Sequence, residues 1–330
     1  MGKRQGAKDT FNRTIDYLRV SITDRCNLRC VYCSPERKET RFKPSDLLTP
    51  DEIARFVRIA RSHGLRKVRV TGGEPLLRDD VADVVAAIKD AGVPDISLTT
   101  NGLLFSGMAR DLKRAGLKRV NISLDTLKPK RYAEMTGGGD IDLVWRSIEA
   151  ALSEGLAPVK INVVPIRGKN DDEVADFASL TFERDIHIRF IEYMPVGRSS
   201  ICLKGACVKK DELIDKVSRM GRIRKLTFRG KGPSRNYRLE GATGVIGFIS
   251  PVSEHFCDYC NRLRITPGGM IKPCLLANSE IDLRKPLRSG ADDAELEKIF
   301  LRAVGAKPRG HMLVDGAALM DLPSMSEIGG

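Results

Sequence analysis

Long apolar runs are missing from this 330-residue sequence. None approaches the ~20 residues that a helix needs to cross a bilayer, so no membrane partner is expected. The opening stretch, MGKRQGAKDTFNRT, is basic and has no apolar segment, which excludes a secretory signal. Its sixth residue is Gly6, where a myristoylation signal carries Ser or Thr. Residues 1–14 read as a flexible basic arm, and the expected location is cytoplasmic. Aromatic residues are scarce, at 5%, which weakens any case for stacking single-stranded bases. No long basic block appears, although 56 Lys and Arg against 43 Asp and Glu leave a formal charge of +13. Such an excess favours an anionic partner, whether nucleic acid, membrane surface or phosphorylated small molecule, and charge alone does not choose among them. Repeats and low-complexity tracts are absent too.

What is present begins with an alternation. The β-rich runs DYLRVSIT, KVRVTG, DISLTT, KRVNISLD, VKINVVP and IHIRFIEY are separated by helical patterns such as TPDEIARFVRIARSHG, where Thr49 can cap and Gly64 can stop the helix. Strand and helix in turn imply parallel βαβ units. Six units would make an open barrel or a doubly wound sheet. The unusual residues follow the strands: the loop CNLRCVYC, then TGGEP, TTNG, SLD, VVP and EYMPVG. In a (βα) barrel those loops converge on one face, so one site lined by all six units is expected. Past residue 195 the rhythm changes, with a short helix in KKDELIDKVSRM, β-like pieces in NYRLEGATGVIGFIS and a late helix in DDAELEKIFLRAV. The expected boundary lies near residue 200, with residues 15–200 as the barrel and residues 201–330 as an extension packed against it.

Eight cysteines in a chain of this length do not suggest a disulfide framework, which belongs to small secreted domains. Six fall into two groups of three: Cys26, Cys30 and Cys33, and Cys257, Cys260 and Cys274. Cys202 and Cys207 stand apart and read as ordinary thiols. Neither group has an evident fourth member. Iron–sulfur cubanes are usually held by four thiolates, one per iron, so three thiolates leave one iron open. An open metal position is how a site binds substrate rather than only stabilising a fold. Zinc is the alternative, with a fourth ligand from elsewhere; His255 could complete the second group, at a cramped spacing of two residues from Cys257.

The first group resembles the radical S-adenosylmethionine (SAM) enzymes, whose signature is Cys-x3-Cys-x-aromatic-Cys with Gly-Gly-Glu-Pro after the next strand. Here these are CNLRCVYC, with Tyr32, and TGGEP. The resemblance implies a [4Fe–4S] cluster with SAM on its open iron, reductive cleavage to a 5′-deoxyadenosyl radical, and glycines where backbone must approach the bound methionine without a Cβ. The second group, Cys-x2-Cys-x13-Cys, with a C-terminal Gly-Gly, is similar to the GTP 3′,8-cyclases of molybdenum cofactor biosynthesis. That similarity runs from about Tyr17 to Gly330 through LRVSITDRCNLRCVYC, RVTGGEPLLR, LTTNG, NISLD, VKINVV, RFIEYMPVG and FCDYCNRLRIT.

The resemblance implies an α/β fold: an incomplete (βα)6 TIM-like barrel with a C-terminal α+β extension carrying a second [4Fe–4S] cluster that binds the guanine of GTP. The radical would take hydrogen from the ribose C3′, and C3′ would join C8 of the base. Carried onto this chain, the GTP contacts are Arg19, Arg69, Thr99, Lys160, Arg262 and Arg264. Five cations suit a triphosphate, since arginine forks bind phosphate oxygens in pairs. The SAM contacts are Tyr32, Gly73, Ser123 and Met194. Catalytic candidates are Arg19, Arg264 and the tail glycines Gly329 and Gly330. Implied partners are GTP, an external electron donor and the downstream cyclic pyranopterin monophosphate synthase; a homodimer is left open, and nucleic acid is not expected. Two alternatives stand beside this reading: a radical SAM peptide-modifying enzyme with an auxiliary cluster, and a zinc-bearing basic nucleic-acid-binding protein.

Overall fold

The computed structural model describes residues 6–33, 41–194, 196, 205–227, 232–311 and 325–328. All six expected strands form: β1 (Tyr17–Ser21), β2 (Lys67–Thr71), β3 (Asp95–Thr100), β4 (Arg119–Ser123), β5 (Val159–Val163) and β6 (Ile186–Ile191). They pair in parallel in sequence order, each with the next. Between them run α1 (Pro50–Ser62), α2 (Val81–Asp90), α3 (Phe105–Ala115), α4 (Pro129–Thr136), α5 (Ile141–Ser153) and α6 (Val174–Glu183). The start of α1 shows why the local sequence suffices. Thr49 accepts from the Glu52 amide at 3.2 Å while Glu52 accepts from the Thr49 amide at 2.8 Å, with Pro50 at the first helical position. Such a box stabilises a helix by about 1 kcal/mol.

Burial alternates along the strands. In β5, Val159, Ile161 and Val163 are buried, while Lys160 and Asn162 between them are only half-buried. The aliphatic set belongs to the core cluster shared with the helices, so the polar set faces the other side.

The remaining strands do not form a separate layer. After α7 (Lys210–Ser218) come β7 (Ile223–Leu226), β8 (Arg235–Leu239), β9 (Val245–Ile249), β10 (Arg262–Ile265), β11 (Met270–Lys272) and β12 (Ile281–Asp282), then α8 (Arg284–Arg288), α9 (Asp293–Gly305) and α10 (Met325–Ile328). β9 adds to β6 in parallel and β10 adds to β1 in parallel, so the C-terminal part extends both edges of the same twelve-stranded sheet. Residues of β10 at one side and β7 at the other line one cavity, so the sheet curls on itself like an unclosed barrel.

One expectation is corrected. Residues 6–14 are not a free arm; residues 1–5 lie outside the described part. Lys8 bridges to Thr14, and a Cβ on Gly64 would sit 2.7 Å from the Gly6 Cα. Arg13 is 4% exposed, pairs with buried Asp9 at 2.5 Å, and donates to the carbonyls of Cys257, Pro308 and Arg309 at 2.7, 2.6 and 2.9 Å. The cations that suggested a solvated arm include one that fastens the N-terminal segment to the second cysteine loop.

Candidate active site

The concave face of the sheet encloses a cavity of about 950 Å³. Its wall includes all six grouped cysteines together with Arg19, Tyr32, Arg69, Gly73, Thr99, Ser123, Lys160, Met194, Arg262 and Arg264. Residues chosen from eight separate stretches of sequence thus meet in one place. Gly329, Gly330 and Cys202 lie outside the described residues. Ile328, just before the tail glycines, is 2% exposed and clusters with Val196, Met194, Leu275, Leu276 and Met325. Cys207 is not part of the wall; its thiol donates to Glu192 Oε1 at 3.5 Å.

At one end stands the loop of Cys26, Cys30 and Cys33, held by the turn after β2. The Gly73 amide donates to the Thr23 carbonyl at 2.8 Å and the Glu74 amide to the Arg25 carbonyl at 2.7 Å. A Cβ on Gly73 would lie 2.3 Å from the Arg25 carbonyl oxygen. The sequence reading placed the need for glycine at a bound methionine; the structure shows a prior need, because the turn presses against the cysteine loop itself. Glu74 is fully buried and accepts from the Asn101 amide at 2.7 Å, the Thr100 hydroxyl at 2.8 Å and the Leu76 amide at 3.1 Å. Burial lifts its carboxyl to about 7 against those three bonds. Asn101 in turn places Nδ2 4.0 Å from Cys26 Sγ. Tyr32 donates its hydroxyl to Asp125 Oδ2 at 2.6 Å, and Asp125 Oδ1 accepts from the Val164 amide at 2.8 Å. Burial lifts Asp125 to about 6.

At the other end are Cys257, Cys260 and Cys274. The Cys260 amide closes a tight turn onto the Cys257 carbonyl at 3.1 Å, and Arg262 lies 4.6 Å from the centroid of the Phe256 ring. The His255 ring packs against His311, centroids 5.4 Å apart. Among the described residues, no three His, Cys, Asp or Glu side chains are arranged to hold a single metal ion. Zinc would require such convergence, whereas a cubane takes one thiolate per iron and no common point. None of the seven described cysteines, these six among them, forms a disulfide. Each trio offers three thiols, the number that a cubane with one open iron takes, and among the described residues the cavity wall has no cysteine outside the two trios.

Between the two ends lies a field of cations. The pairing of β10, β1 and β2 sets Arg264 opposite Arg19 and Arg19 opposite Arg69, three guanidinium groups abreast. Burial is the first cause lowering all three, and cations add to it: Arg264 and Arg69 act on Arg19, which falls well below its usual value, Arg119 and Arg262 act on Arg69, and Arg262 acts on Arg264, which falls to about 10. On the far strands Lys160 falls to about 6 and His187 to about 4, burial being the larger cause and neighbouring cations the next. Burial pushes Tyr17 up, yet Arg69, Arg19, Arg262 and Arg189 together outweigh it and bring the phenol below its usual value. Eleven of the described wall residues are Lys or Arg and two are Asp or Glu, so the cavity suits a polyanion. Buried oxygens without a hydrogen-bond partner mark further contact points: Thr99 Oγ1 and Asn162 Oδ1.

The sequence reading missed Lys67, Arg119, Asn162, Arg189 and Lys307, all in the wall. The first four were within reach. Lys67, two residues before Arg69, and Arg189, two after His187, share the inward alternation of their strands. Lys307 follows a helix and carries no comparable pattern.

Comparison with known proteins first gives the class. Residues 20–181 match the Radical SAM superfamily, and residues 186–313 match Molybdenum Cofactor Synthesis C. Among solved structures, SuiB of Streptococcus suis bound to S-adenosylmethionine superposes with a TM-score of 0.58 at 18% identity, covering 86% of this chain and 67% of that one. SuiB bound to the precursor peptide SuiA gives 0.58 at 17%, covering 94% and 77%. These likenesses concern the fold alone. Fold and site thus define a radical SAM protein with a [4Fe–4S] cluster and SAM implied by its superfamily.

The particular family follows from closer relatives. The GTP 3′,8-cyclase of Heliobacterium modesticaldum is 51% identical over 98% of this chain and 99% of its own length. Those of Pelotomaculum thermopropionicum and Moorella thermoacetica are 47% and 49% identical, each over 98% of this chain and 100% of theirs. The chain belongs to the GTP 3′,8-cyclase family. That membership sets aside the peptide-modifying and zinc-bearing alternatives.

Proposed function

We propose that the chain cyclises GTP to (8S)-3′,8-cyclo-7,8-dihydroguanosine 5′-triphosphate, the first step of molybdenum cofactor biosynthesis. The observation that carries this reading is one cavity with a cysteine trio at each end and a cation field between. Cys26, Cys30 and Cys33 would hold the cluster that binds SAM, with Tyr32, Gly73, Ser123 and Met194 around the SAM molecule. When bound, these groups supply a 5′-deoxyadenosyl radical able to abstract hydrogen from a sugar carbon. Cys257, Cys260 and Cys274 would hold a second cluster, leaving one iron open to the guanine.

Arg19, Arg69, Lys160, Arg262 and Arg264 would bind and orient the triphosphate, and Thr99 would donate or accept with its unpartnered hydroxyl. Fixing the ribose between the two ends is a positioning task, for which held geometry lowers the barrier more than any single contact. Burial of the sugar between these walls also keeps water and stray hydrogen donors from a reactive carbon. Arg19 and Arg264 would steady charge developing on the base. Gly329 and Gly330 are proposed to reach the site, Ile328 being anchored at its wall. An electron donor from outside the chain and a separate enzyme consuming the cyclic product are required partners, and residues 15–200 and 201–330 are proposed as the two functional parts.

The test is anaerobic incubation of reconstituted protein with dithionite, SAM and GTP. Deoxyadenosine should form with GTP present together with a cyclic product bearing a C3′–C8 bond. Deoxyadenosine formation at the same rate without GTP, and no cyclic product, sinks the reading.

A further inference from the structure

The second cysteine trio sits against a lysine that no motif announces. Lys307 follows α9 and is 3% exposed. Its Nζ donates to the carbonyl oxygen of Arg262 at 2.7 Å and to that of Pro273 at 2.9 Å. Arg262 lies two residues after Cys260 and Pro273 one before Cys274, so a single side chain ties both ligand-bearing segments. The same ammonium hydrogen-bonds to Cys260.

A buried ammonium needs an anion nearby. Arg13, equally buried beside the same loop, has Asp9 at 2.5 Å. Lys307 has no carboxylate paired with it among the described residues; burial lowers its pKa, Arg13 adds to that, and Cys260 and Cys274 are the neighbours that work against it. Two carbonyls satisfy its hydrogen bonds but not its charge. Thiolates at Cys260 and Cys274 would do so.

The structure assigns Lys307 as the built-in counter-ion of the second thiolate set, a positioning residue that joins the Cys260 and Cys274 segments and holds positive charge against the cluster they carry. The assignment rests on the reading of Cys257, Cys260 and Cys274 as cluster ligands. Charge and hydrogen bonds at the sulfurs set the reduction potential of such centres. A fixed cation favours the more negative, reduced form, so removing it lowers the potential.

The experiment uses the full-length chain with Cys26, Cys30 and Cys33 all changed to Ala, so that only the second centre reports. Iron content and a potentiometric titration followed by electron paramagnetic resonance are measured before and after adding Lys307→Gln or Lys307→Arg. The parent should carry about four irons. Lys307→Gln, which keeps a donor but no charge, should shift reduction at least tenfold toward the oxidised form, about 59 mV for one electron; Lys307→Arg should recover most of it. Loss of iron in Lys307→Gln with retention in Lys307→Arg also supports the assignment. An iron-free parent overturns the cluster reading and the assignment together. An iron-bearing parent whose potential is unmoved by Lys307→Gln overturns the assignment alone, as does equal iron loss in both variants, which would mark Lys307 as loop packing.

Discussion

Lys160 should take up a proton when GTP binds. In the empty cavity its ammonium is pushed down to about 6 by burial first, then by Arg189, Arg119 and Arg69, with Asp95 opposing them weakly. At pH 7.5 that leaves about 3% of the side chain charged, and charging it costs about 2 kcal/mol. A phosphate charge about 4 Å away at an effective dielectric of 20 returns about 4 kcal/mol. The second effect wins, so binding raises the Lys160 value above 7.5 and draws in a proton. The sign follows from linkage: a complex that binds more protons than the free protein weakens as pH rises. GTP affinity should fall up to tenfold per pH unit from about 6 until the pH passes the bound-state value. His187 across the register stays neutral over this range, its imidazole being held at about 4. The assay is calorimetric titration with a GTP analogue in two buffers of different ionisation enthalpy, for the wild type and Lys160→Met. The wild type should take up nearly one proton more per site than the variant at pH 7.5. Equal uptake in the two proteins would refute the reasoning.

Two further substitutions probe the ends of the cavity. Gly73→Ala places a Cβ 2.3 Å from the Arg25 carbonyl oxygen, so the cysteine loop must move; the variant should lose SAM binding and iron at Cys26, Cys30 and Cys33 while the second trio still takes up iron. Full iron content with normal SAM affinity would show that the turn is more yielding than the contact implies. Thr99→Val removes a buried hydroxyl that has no partner in the empty protein, so thermal stability should stay within about 0.5 kcal/mol or rise. KM for GTP should increase several-fold, and an unchanged KM would remove Thr99 from the substrate side.

Legibility in the sequence followed the range of the interaction. The six strands, the cap at Thr49 and the two cysteine trios are local patterns, and each appears where the sequence placed it. The three abreast arginines are half-legible: Arg19 and Arg69 stand out beside motifs, but their meeting with Arg264 depends on β10 joining β1, a pairing across about 245 residues. Arg13 and Lys307 are not legible at all. Both tie distant segments together by donating to main-chain carbonyls far along the chain, and a carbonyl has no residue type to announce it. The same limit explains the misread arm, because a basic N-terminal stretch looks solvated until its acceptors are known.

The dispersed charge has a structural explanation of its own. A cluster of cations contiguous in sequence would lie along one strand or helix and face several directions. Here β1, β2, β4, β5, β6 and β10 contribute their lysines and arginines at alternate positions, as with Lys67 and Arg69, or singly, as with Lys160, and the residues flanking Lys160 and between Lys67 and Arg69 are aliphatic. Curling the sheet brings these scattered groups onto one inner surface while Val68, Val70, Ile161 and their like fill the core beneath the helices. Burial lowers Arg19, Arg264 and Lys160 first and neighbouring cations lower them further; that repulsion is sustained because more than sixty buried apolar side chains in the core hold the staves in place. An anion entering the cavity therefore relieves repulsion as well as making new contacts. Binding strength is stored in the empty fold before GTP arrives.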